Sequence, residues 1–363
     1  MSAPRLQIDL AKIHHNARIL VERLKQRGIA TTGVTKAFLG MPELAQTLLD
    51  AGVRSLGDAR IENIEAMRRD HVVAEMILIR SPMLSQVDRV VASADMSLNT
   101  EPDVIVKLSS AAKASSKMHG IVLMVELGDL REGILPVNLA SVVLQTLRLP
   151  NIVLKGIGTN LACRSGVKPD AGNMAALSNL TDAIEAQFRI ALSMVTGGNS
   201  SNLEWAFGAP QIGRINNLRL GESILLGRDP LQRRSISGLY TDAITFVAEV
   251  IEAKLKPSMP WGEIGYSTFG ETTITVDHGD ISQAILAVGQ QDVDATGLRP
   301  PSGVKIIGVS SDHLVVRSIK ERPAIGAEFR FELNYSALLR AMTSPFVVKD
   351  VTNGADCTRA LTA

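Results

Sequence analysis

The sequence predicts a (β/α)8 barrel, also called a TIM barrel, followed by an antiparallel β-domain. Three observations predict this fold. Strand-like apolar runs alternate with amphipathic helical segments over roughly the first 230 residues. Several of these runs are almost continuously apolar, which is typical of parallel strands that are buried on both faces. After about Gly227, shorter alternating strands are separated by turn residues, which is typical of an antiparallel sheet.

Roughly the first 230 residues contain one opening strand and eight predicted barrel strands. Residues 6–10 alternate as a strand, and a helix is predicted over residues 11–27. Pro42, at a first-turn position, predicts a helix over residues 42–50. A doubly wound open sheet is the alternative, but no G-x-G-x-x-G motif follows the early strands. The predicted barrel strands are residues 31–36, 53–59, 75–81, 96–100, 120–127, 154–161, 192–198 and 218–225.

The rest of the chain carries the pattern of half-buried antiparallel strands. Its turn residues include the run His278-Gly-Asp280 and the run Pro300-Pro-Ser-Gly303. We therefore expect a barrel domain over residues 1–230 and a β-domain over residues 231–363. The predicted strands of the β-domain are residues 243–251, 272–276, 282–288, 304–309, 314–319 and 328–333.

Composition limits the classes of partner. The formal net charge is +1, from 38 basic and 37 acidic residues, and no dense basic run occurs, so we expect no nucleic-acid or membrane-surface partner. No apolar stretch is long enough to span a bilayer, and the N-terminus lacks the apolar core of a signal peptide. Cys163 and Cys357 have neither a disulfide-framework pattern nor metal-ligand spacing. We expect a cytoplasmic protein with reduced thiols and no metal site.

Lys36 closes the first predicted barrel strand. A lysine at this position would point its amine into the mouth of the barrel, where the chemistry of such barrels takes place. Partial loss of hydration lowers the pKa of an amine in general, which makes the amine a nucleophile that can bond to a carbonyl group. Taken alone, a lysine that extends its charged end to solvent is the commoner interpretation. The motifs described next favour the catalytic one.

Two further motifs lie at the end of the seventh predicted strand and inside the eighth. Gly198 ends the seventh strand, and Asn199, Ser200 and Ser201 follow it, where the loops of barrels often bind phosphate. A plain helix cap is an equally good interpretation of these residues. Arg219 lies inside the eighth, otherwise apolar, strand and therefore needs a partner, either a core carboxylate or the ring nitrogen of a cofactor.

Two positions complete the candidate set in the barrel. Gly221 follows Arg219 and offers a second place where backbone can approach a phosphate. Arg131 follows the fifth predicted strand and is a candidate ligand for a carboxylate or phenolate oxygen. Exposed loop arginines are common, so Arg131 alone is weak evidence.

Together these residues resemble the fold-type III pyridoxal phosphate enzymes, specifically the alanine racemase family and its ornithine-racemase-like branch. The resemblance covers nearly the whole chain. It implies that Lys36 binds pyridoxal phosphate covalently and that Arg131 contacts the phenolic oxygen of the cofactor and the substrate carboxylate. It also implies that Arg219 faces the pyridine nitrogen. The implied phosphate site consists of Gly198, Asn199, Ser200, Ser201 and Gly221.

The resemblance extends to the β-domain. The run 308–313 resembles a loop that brings Ser311 and Asp312 near the substrate carboxylate. Asn334-Tyr335 resembles the start of the C-terminal signature, which makes Tyr335 an implied phosphate ligand. The family's second catalytic base is a tyrosine that is donated across a head-to-tail homodimer, and Tyr266 stands at about that place. Lys36 and Tyr266 would then exchange a proton with opposite faces of the substrate α-carbon.

Three departures from the family pattern bear on the substrate. The run 289–292 lacks an aromatic residue that narrows the entrance, Asn160 replaces a histidine that packs on the cofactor ring, and Leu226 replaces a tyrosine. These changes point to a longer amino acid, such as ornithine or lysine, rather than alanine. A distal ammonium group would require an acidic partner, and the candidates are Glu222, Asp292 and Asp312.

Two other classes of function remain open at this point. One is a fold-type III aldolase or lyase acting on β-hydroxy amino acids with the help of a metal, for which His313 beside Asp312 is only a weak ligand candidate. A decarboxylase of the same fold is a more distant form of this alternative. The other is a non-catalytic pyridoxal phosphate carrier of the single-barrel type, which would lack a β-domain.

Overall fold

A computed structural model of the chain describes residues 2–266, 276–319 and 321–354. The chain divides into two compact units, Ile13–Tyr240 and Met1–Lys12 together with Thr241–Ala363. The expected boundary at residue 230 therefore differs from the structure, most clearly for the first twelve residues. Residues 272–275 of one predicted strand and Cys357 lie outside the described residues.

The N-terminal segment belongs to the second unit because of its strand pairing. Strand β1 (Arg5–Asp9) pairs antiparallel with residues 244–247 and parallel with residues 348–352. Its Leu6 and Ile8 are fully buried. Helix α1 (Leu10–Lys25) follows directly and runs into the barrel unit, so the chain changes units within one helix.

Within residues 13–240, all of which the structure describes, eight parallel strands close into a barrel, so the predicted fold class is confirmed. The last strand pairs with the first, with Arg219 beside Thr32. One side of the interior is an apolar cluster of Ile77, Met96, Leu98, Val122 and Met124. The barrel strands are β2 (Ala30–Val34), β3 (Ser55–Asp58), β4 (Glu75–Leu78), β5 (Met96–Asn99), β6 (His119–Met124), β7 (Ile152–Gly158), β8 (Met194–Thr196) and β9 (Asn217–Leu220).

Helices connect these strands, and their starts follow ordinary sequence signals. Proline stands in the first turn of three of them, where its missing N–H costs nothing. Asp170 caps another helix by accepting a hydrogen bond from Asn173 N at 2.8 Å. The helices are α2 (Pro42–Asp50), α3 (Ile61–Arg69), α4 (Val87–Ser93), α5 (Pro102–Ala114), α6 (Pro136–Leu147), α7 (Ala171–Phe188), α8 (Leu203–Gly208) and α9 (Glu222–Leu226).

The predicted eighth barrel strand was too long. Strand β9 ends at Leu220, and residues 222–226 form helix α9 instead of continuing the strand. The apolar run in α9 is buried on all sides, and a short buried run has the same sequence pattern in a helix as in a strand. Gly227, with φ of 63°, ends the helix in the left-handed conformation.

The described part of the second unit confirms the predicted antiparallel β-domain. The elements are β10 (Ile244–Pro257), β11 (Asp280–Leu286), β12 (Leu298–Arg299), β13 (Val304–Val309), β14 (Leu314–Ser318), β15 (Glu328–Leu333), α10 (Tyr335–Thr343) and β16 (Val348–Thr352). The strands are ordered β12-β15-β10-β11-β14-β13, and β1 joins the sheet through β10. The short elements β12, β16 and α10 were not predicted from the sequence. No helix among the described residues has the length and apolar character needed to cross a membrane.

Candidate active site

The structure brings the candidate residues of the barrel together at one end of it. All of them lie at, or just after, the carboxyl ends of parallel strands, and those ends face the same side of a barrel. Tyr266, Ser311, Asp312 and Tyr335 belong to the second unit. The barrel residues are Lys36, Arg131, Asn160, Gly198, Asn199, Ser200, Ser201, Arg219 and Gly221.

Lys36 follows strand β2 rather than closing it. The strand ends at Val34, and Lys36 begins a short 3-10 turn in which its side chain is half-buried. The backbone before it is fixed, because Thr35 Oγ1 donates to Asp58 Oδ2 at 2.6 Å. Asp58 is fully buried, and this burial raises the pKa of its carboxyl, while the nearby positive charge of Lys36 acts in the opposite direction.

Arg219 points into the barrel and is almost fully buried. Its Nη1 donates to Thr196 Oγ1 at 2.6 Å, and its Nη2 donates to Thr159 O at 3.0 Å and to Asn160 Oδ1 at 3.1 Å. These acceptors are neutral, and they are not the core carboxylate that the sequence left open. Burial lowers the pKa of Arg219 to about 10, so the guanidinium keeps its charge at neutral pH.

The residues of the predicted phosphate site lie where two loops converge. Ser200 Oγ accepts hydrogen bonds from Gly221 N at 3.4 Å and from Ser223 N at 3.3 Å. Gly198 has φ of 145°, and a Cβ there would lie 2.1 Å from Asn202 Oδ1, so this position requires glycine. Ser201 is 2% exposed, and its Oγ has no hydrogen-bond partner among the described residues. A buried hydroxyl without a partner is costly, which favours a ligand oxygen at this place.

Asn160 links the residues of the predicted phosphate site to Arg219. Its Oδ1 accepts hydrogen bonds from both Asn199 Nδ2 and Arg219 Nη2, each at 3.1 Å. Its Nδ2 is buried and has no partner in the described part of the chain. The site therefore contains an amine, a buried guanidinium and two unpaired polar groups, which fit the aldehyde, ring nitrogen and phosphate of pyridoxal phosphate.

Arg131 is partly exposed and already has a partner. It forms a two-point ion pair with its neighbour Glu132, through Nε and Nη2. Glu132 raises the pKa of Arg131, and the side chain of Cys163 acts in the same direction. A substrate carboxylate that binds Arg131 as predicted would therefore either share the guanidinium with Glu132 or displace Glu132 from it.

The chain matches the family model described as "Alanine racemase, N-terminal domain" over residues 8–229. This range is well over half of the 363 residues.

The chain belongs to the alanine racemase family.

Similar proteins of known activity support this membership. An ornithine racemase of Acetoanaerobium sticklandii is 36% identical over 96% of this chain and 99% of the relative. A lysine racemase of Thermotoga maritima is 39% identical over 96% of this chain and 98% of the relative. A solved alanine racemase from D-cycloserine-producing Streptomyces lavendulae covers 98% of both chains with a TM-score of 0.76 at 18% identity, which shows the shared fold.

The same fold occurs in a second class of enzyme. A solved D-threonine aldolase from Filomicrobium marinum has a TM-score of 0.72 at 14% identity and covers 94% of this chain and 89% of that chain. At this identity the similarity concerns the fold alone. Function in the alanine racemase fold therefore has to be argued from the site.

The β-domain candidates of this alanine racemase family member lie in loops and at a helix start. Tyr266 is 90% exposed. Ser311 lies in a loop that packs against the run 289–292, because Gln291 N donates to Ser311 O at 3.0 Å. Asp312 is paired with His313 Nδ1 at 2.8 Å, and Tyr335 begins helix α10.

A loop anchor that was not predicted from the sequence lies beside the candidate site. Asp129 is fully buried, and its carboxylate accepts hydrogen bonds from the backbone N of Cys163, Arg164 and Ser165 at 2.9–3.1 Å. Burial alone would raise the pKa of the Asp129 carboxyl. The backbone donors outweigh this effect, so its pKa lies below the ordinary value. Asp129 therefore ties the loop that carries Arg131 to the loop after β7. No spacing signal marks such a residue in the sequence.

Glu222 is the candidate acidic residue that lies within the barrel unit. It is the first residue of helix α9 and is half-buried. Burial raises the pKa of Glu222 to about 7, with Asp229 adding to the shift and Arg233 and Lys36 opposing it. Asp292, in the second unit, accepts a hydrogen bond from Ser344 Oγ at 2.7 Å.

The Glu222→Gln variant is expected to change the pH dependence of stability. The folded-state pKa of Glu222, about 7, lies above the ordinary value of 4.5, so the protonated carboxyl stabilises the folded protein at low pH. This stabilisation is lost as the pH rises through 7. Wild type should lose about 2.5 kcal/mol more than the variant between about pH 5 and pH 8. Urea unfolding of the cofactor-free protein measures this difference, and parallel pH curves would contradict it.

Proposed function

We propose that this protein is a pyridoxal phosphate-dependent racemase that interconverts the L- and D-forms of a basic amino acid such as ornithine or lysine. The observation that carries the proposal is the similarity, over nearly the whole chain, to racemases of these two amino acids. The departures at Asn160 and the run 289–292 support a longer substrate, because both replace a bulky ring by a smaller or more flexible side chain.

The cofactor would be held by residues at one end of the barrel. Lys36 would bond to its aldehyde, and Arg219 would donate to its pyridine nitrogen. When bound, pyridoxal phosphate supplies an electron-accepting ring that stabilises negative charge at the substrate α-carbon. The proposed ligands of the phosphate and ring are Asn160, Gly198, Asn199, Ser200, Ser201, Gly221 and Tyr335.

Two bases would move the α-proton. We assign one to Lys36 and the other to Tyr266 of the partner subunit in a head-to-tail homodimer, so that removal on one face is matched by return on the other. Arg131 and the backbone near Ser311 and Asp312 would hold the substrate carboxylate. In this arrangement the barrel domain binds the cofactor, and the β-domain completes the site of the partner.

Arg219 would control where the proton returns. Its three acceptors are neutral, and it retains its proton at neutral pH, so it can donate to a ring nitrogen without protonating it. Negative charge would then stay near the α-carbon, which favours return of the proton there.

A low cysteine count is in keeping with the cytoplasmic location that we also propose.

The Ser201→Ala variant tests the proposed phosphate ligand. The free hydroxyl is expected to donate to a charged oxygen, so its loss should raise the Kd for pyridoxal phosphate by about 10-fold. Since Ser201 Oγ has no protein partner among the described residues, the free energy of unfolding of the cofactor-free protein should not fall. Ser200→Ala is the matched control, because it removes an acceptor of three hydrogen bonds. It should lower both the free energy of unfolding and the affinity for pyridoxal phosphate.

The proposed function is tested with a panel of L-amino acids and the cofactor-loaded protein in D₂O. We expect α-deuteration together with formation of the D-enantiomer, with kcat/KM for ornithine or lysine at least about 100-fold above that for alanine. Deuteration is followed by NMR and chirality by chromatography. Release of glycine from a β-hydroxy amino acid, release of carbon dioxide, or bound cofactor without any exchange would each contradict the proposal.

A further inference from the structure

A chain of hydrogen bonds leads from Arg219 into the interior of the barrel. Arg219 Nη1 donates to Thr196 Oγ1 at 2.6 Å, and Thr196 Oγ1 donates to Asn217 Oδ1 at 2.8 Å. Asn217 Nδ2 then donates to Thr32 Oγ1 at 2.9 Å, and Thr32 Oγ1 lies 2.8 Å from Ser55 Oγ. We call Thr196, Asn217, Thr32 and Ser55 the buried polar chain.

The buried polar chain is shielded from solvent and spans neighbouring strands. Its members are 0–5% exposed and stand on β8, β9, β2 and β3, which are consecutive around the barrel. Asn217 and Arg219 are two residues apart on β9, so both side chains point to the same face of the strand. Another side of the barrel interior is an apolar cluster, which shows that apolar side chains can fill it.

The donors of the buried polar chain run in one direction. A threonine hydroxyl has one proton, and Thr196 uses it toward Asn217, which leaves an oxygen lone pair facing Arg219. Thr32 accepts from Asn217, so its own proton is available to Ser55. Successive dipoles aligned in this way polarise one another and strengthen the acceptor that faces the guanidinium.

We propose that the buried polar chain is a positioning system that holds the Arg219 guanidinium in place and solvates its charge without an anion. A carboxylate at this position would also fix Arg219, but it would neutralise part of the positive charge that Arg219 presents to its other neighbour, a bound group. Neutral oxygen acceptors leave the full positive charge on the guanidinium. The inference rests on the proposed function only in taking the other neighbour to be the cofactor's ring nitrogen.

The variant Thr196→Val tests this role, because it removes the hydroxyl that contacts Arg219 and keeps the side-chain shape. Ser97→Ala is the matched control. Ser97, on barrel strand β5, is also fully buried and hydrogen-bonded, to His119 Nε2 at 2.8 Å, and among the described residues it has no hydrogen bond to the buried polar chain. Both proteins are loaded with pyridoxal phosphate and compared with wild type by cofactor absorption spectrum, kcat, KM and urea unfolding.

For Thr196→Val we expect a shifted absorption band of the bound cofactor and a kcat lowered by about 10- to 100-fold, with KM changed less than about 2-fold. Ser97→Ala should keep the wild-type spectrum and kcat, and Thr196→Ser, which restores the hydroxyl, should recover both. Equal losses in Thr196→Val and Ser97→Ala, or a Thr196→Val protein with the wild-type spectrum and kcat, would overturn the inference. Wild type without cofactor binding or racemisation would instead contradict the proposed function.

Discussion

Replacing Lys36 with alanine is expected to abolish racemisation and α-proton exchange, with kcat falling at least about 10 000-fold. The substitution removes the proposed attachment point of the cofactor and, at the same time, the base on one face of the substrate. Groups that act as one catalytic unit lose nearly all activity when a single member is removed. The measurement combines chiral chromatography with NMR of α-deuteration in D₂O.

A second lysine of the barrel provides the matched control for that result. Lys155 lies on strand β7, is half-buried and lines a cavity with Glu75 and His119, the first residues of β4 and β6, so it lies near the end of the barrel opposite Lys36. Lys155→Ala should retain wild-type kcat. If Lys36→Ala kept more than about 1% of the wild-type kcat, far above the expected loss, Lys36 would not be the catalytic lysine.

Tyr266→Phe is expected to lower kcat for racemisation by about 100- to 10 000-fold, the usual contribution of a positioned acid or base. Its more specific consequence is an asymmetry between enantiomers. Lys36 should still remove and return the proton on its own face, so one enantiomer should exchange its α-proton with solvent without inversion. The other enantiomer, whose proton faces the missing hydroxyl, should show neither exchange nor inversion.

This asymmetry is measured by following deuteration of each pure enantiomer with the Tyr266→Phe protein. Tyr240→Phe is the control, because Tyr240 lies in the barrel unit, where its ring contacts His15 with centroids 4.9 Å apart, and has no proposed catalytic role. Equal exchange of both enantiomers in Tyr266→Phe would assign the second base to another residue.

The sequence predicted the parts of the fold that depend on local pattern. Continuous apolar runs identified the eight barrel strands, and Pro42 with the following helical spacing gave α2 with its observed bounds. A charged residue inside an apolar strand also made Arg219 a candidate site residue. These signals are visible because burial on both faces, or a proline at a helix start, acts on a few consecutive residues.

Features that depend on distant residues could not be predicted in this way. Strand β1 joins the second unit through pairing with Ile244–Pro257, more than 200 positions along the chain, which no local pattern reveals. The bond between Asn217 and Thr32 joins positions 185 apart. Asp129 supports a loop by accepting hydrogen bonds from backbone N–H groups. In the sequence alone it cannot be distinguished from an ordinary exposed loop aspartate.

The proposed mechanism depends on a covalent bond between Lys36 and pyridoxal phosphate. Sodium borohydride makes such a reversible link permanent, so the cofactor-loaded protein is treated with it and the modified residue is located by peptide mass spectrometry. We expect a reduced cofactor on Lys36 and on no other lysine of the chain. A modification at a different lysine, or a loaded protein that carries no covalent cofactor after reduction, would contradict it.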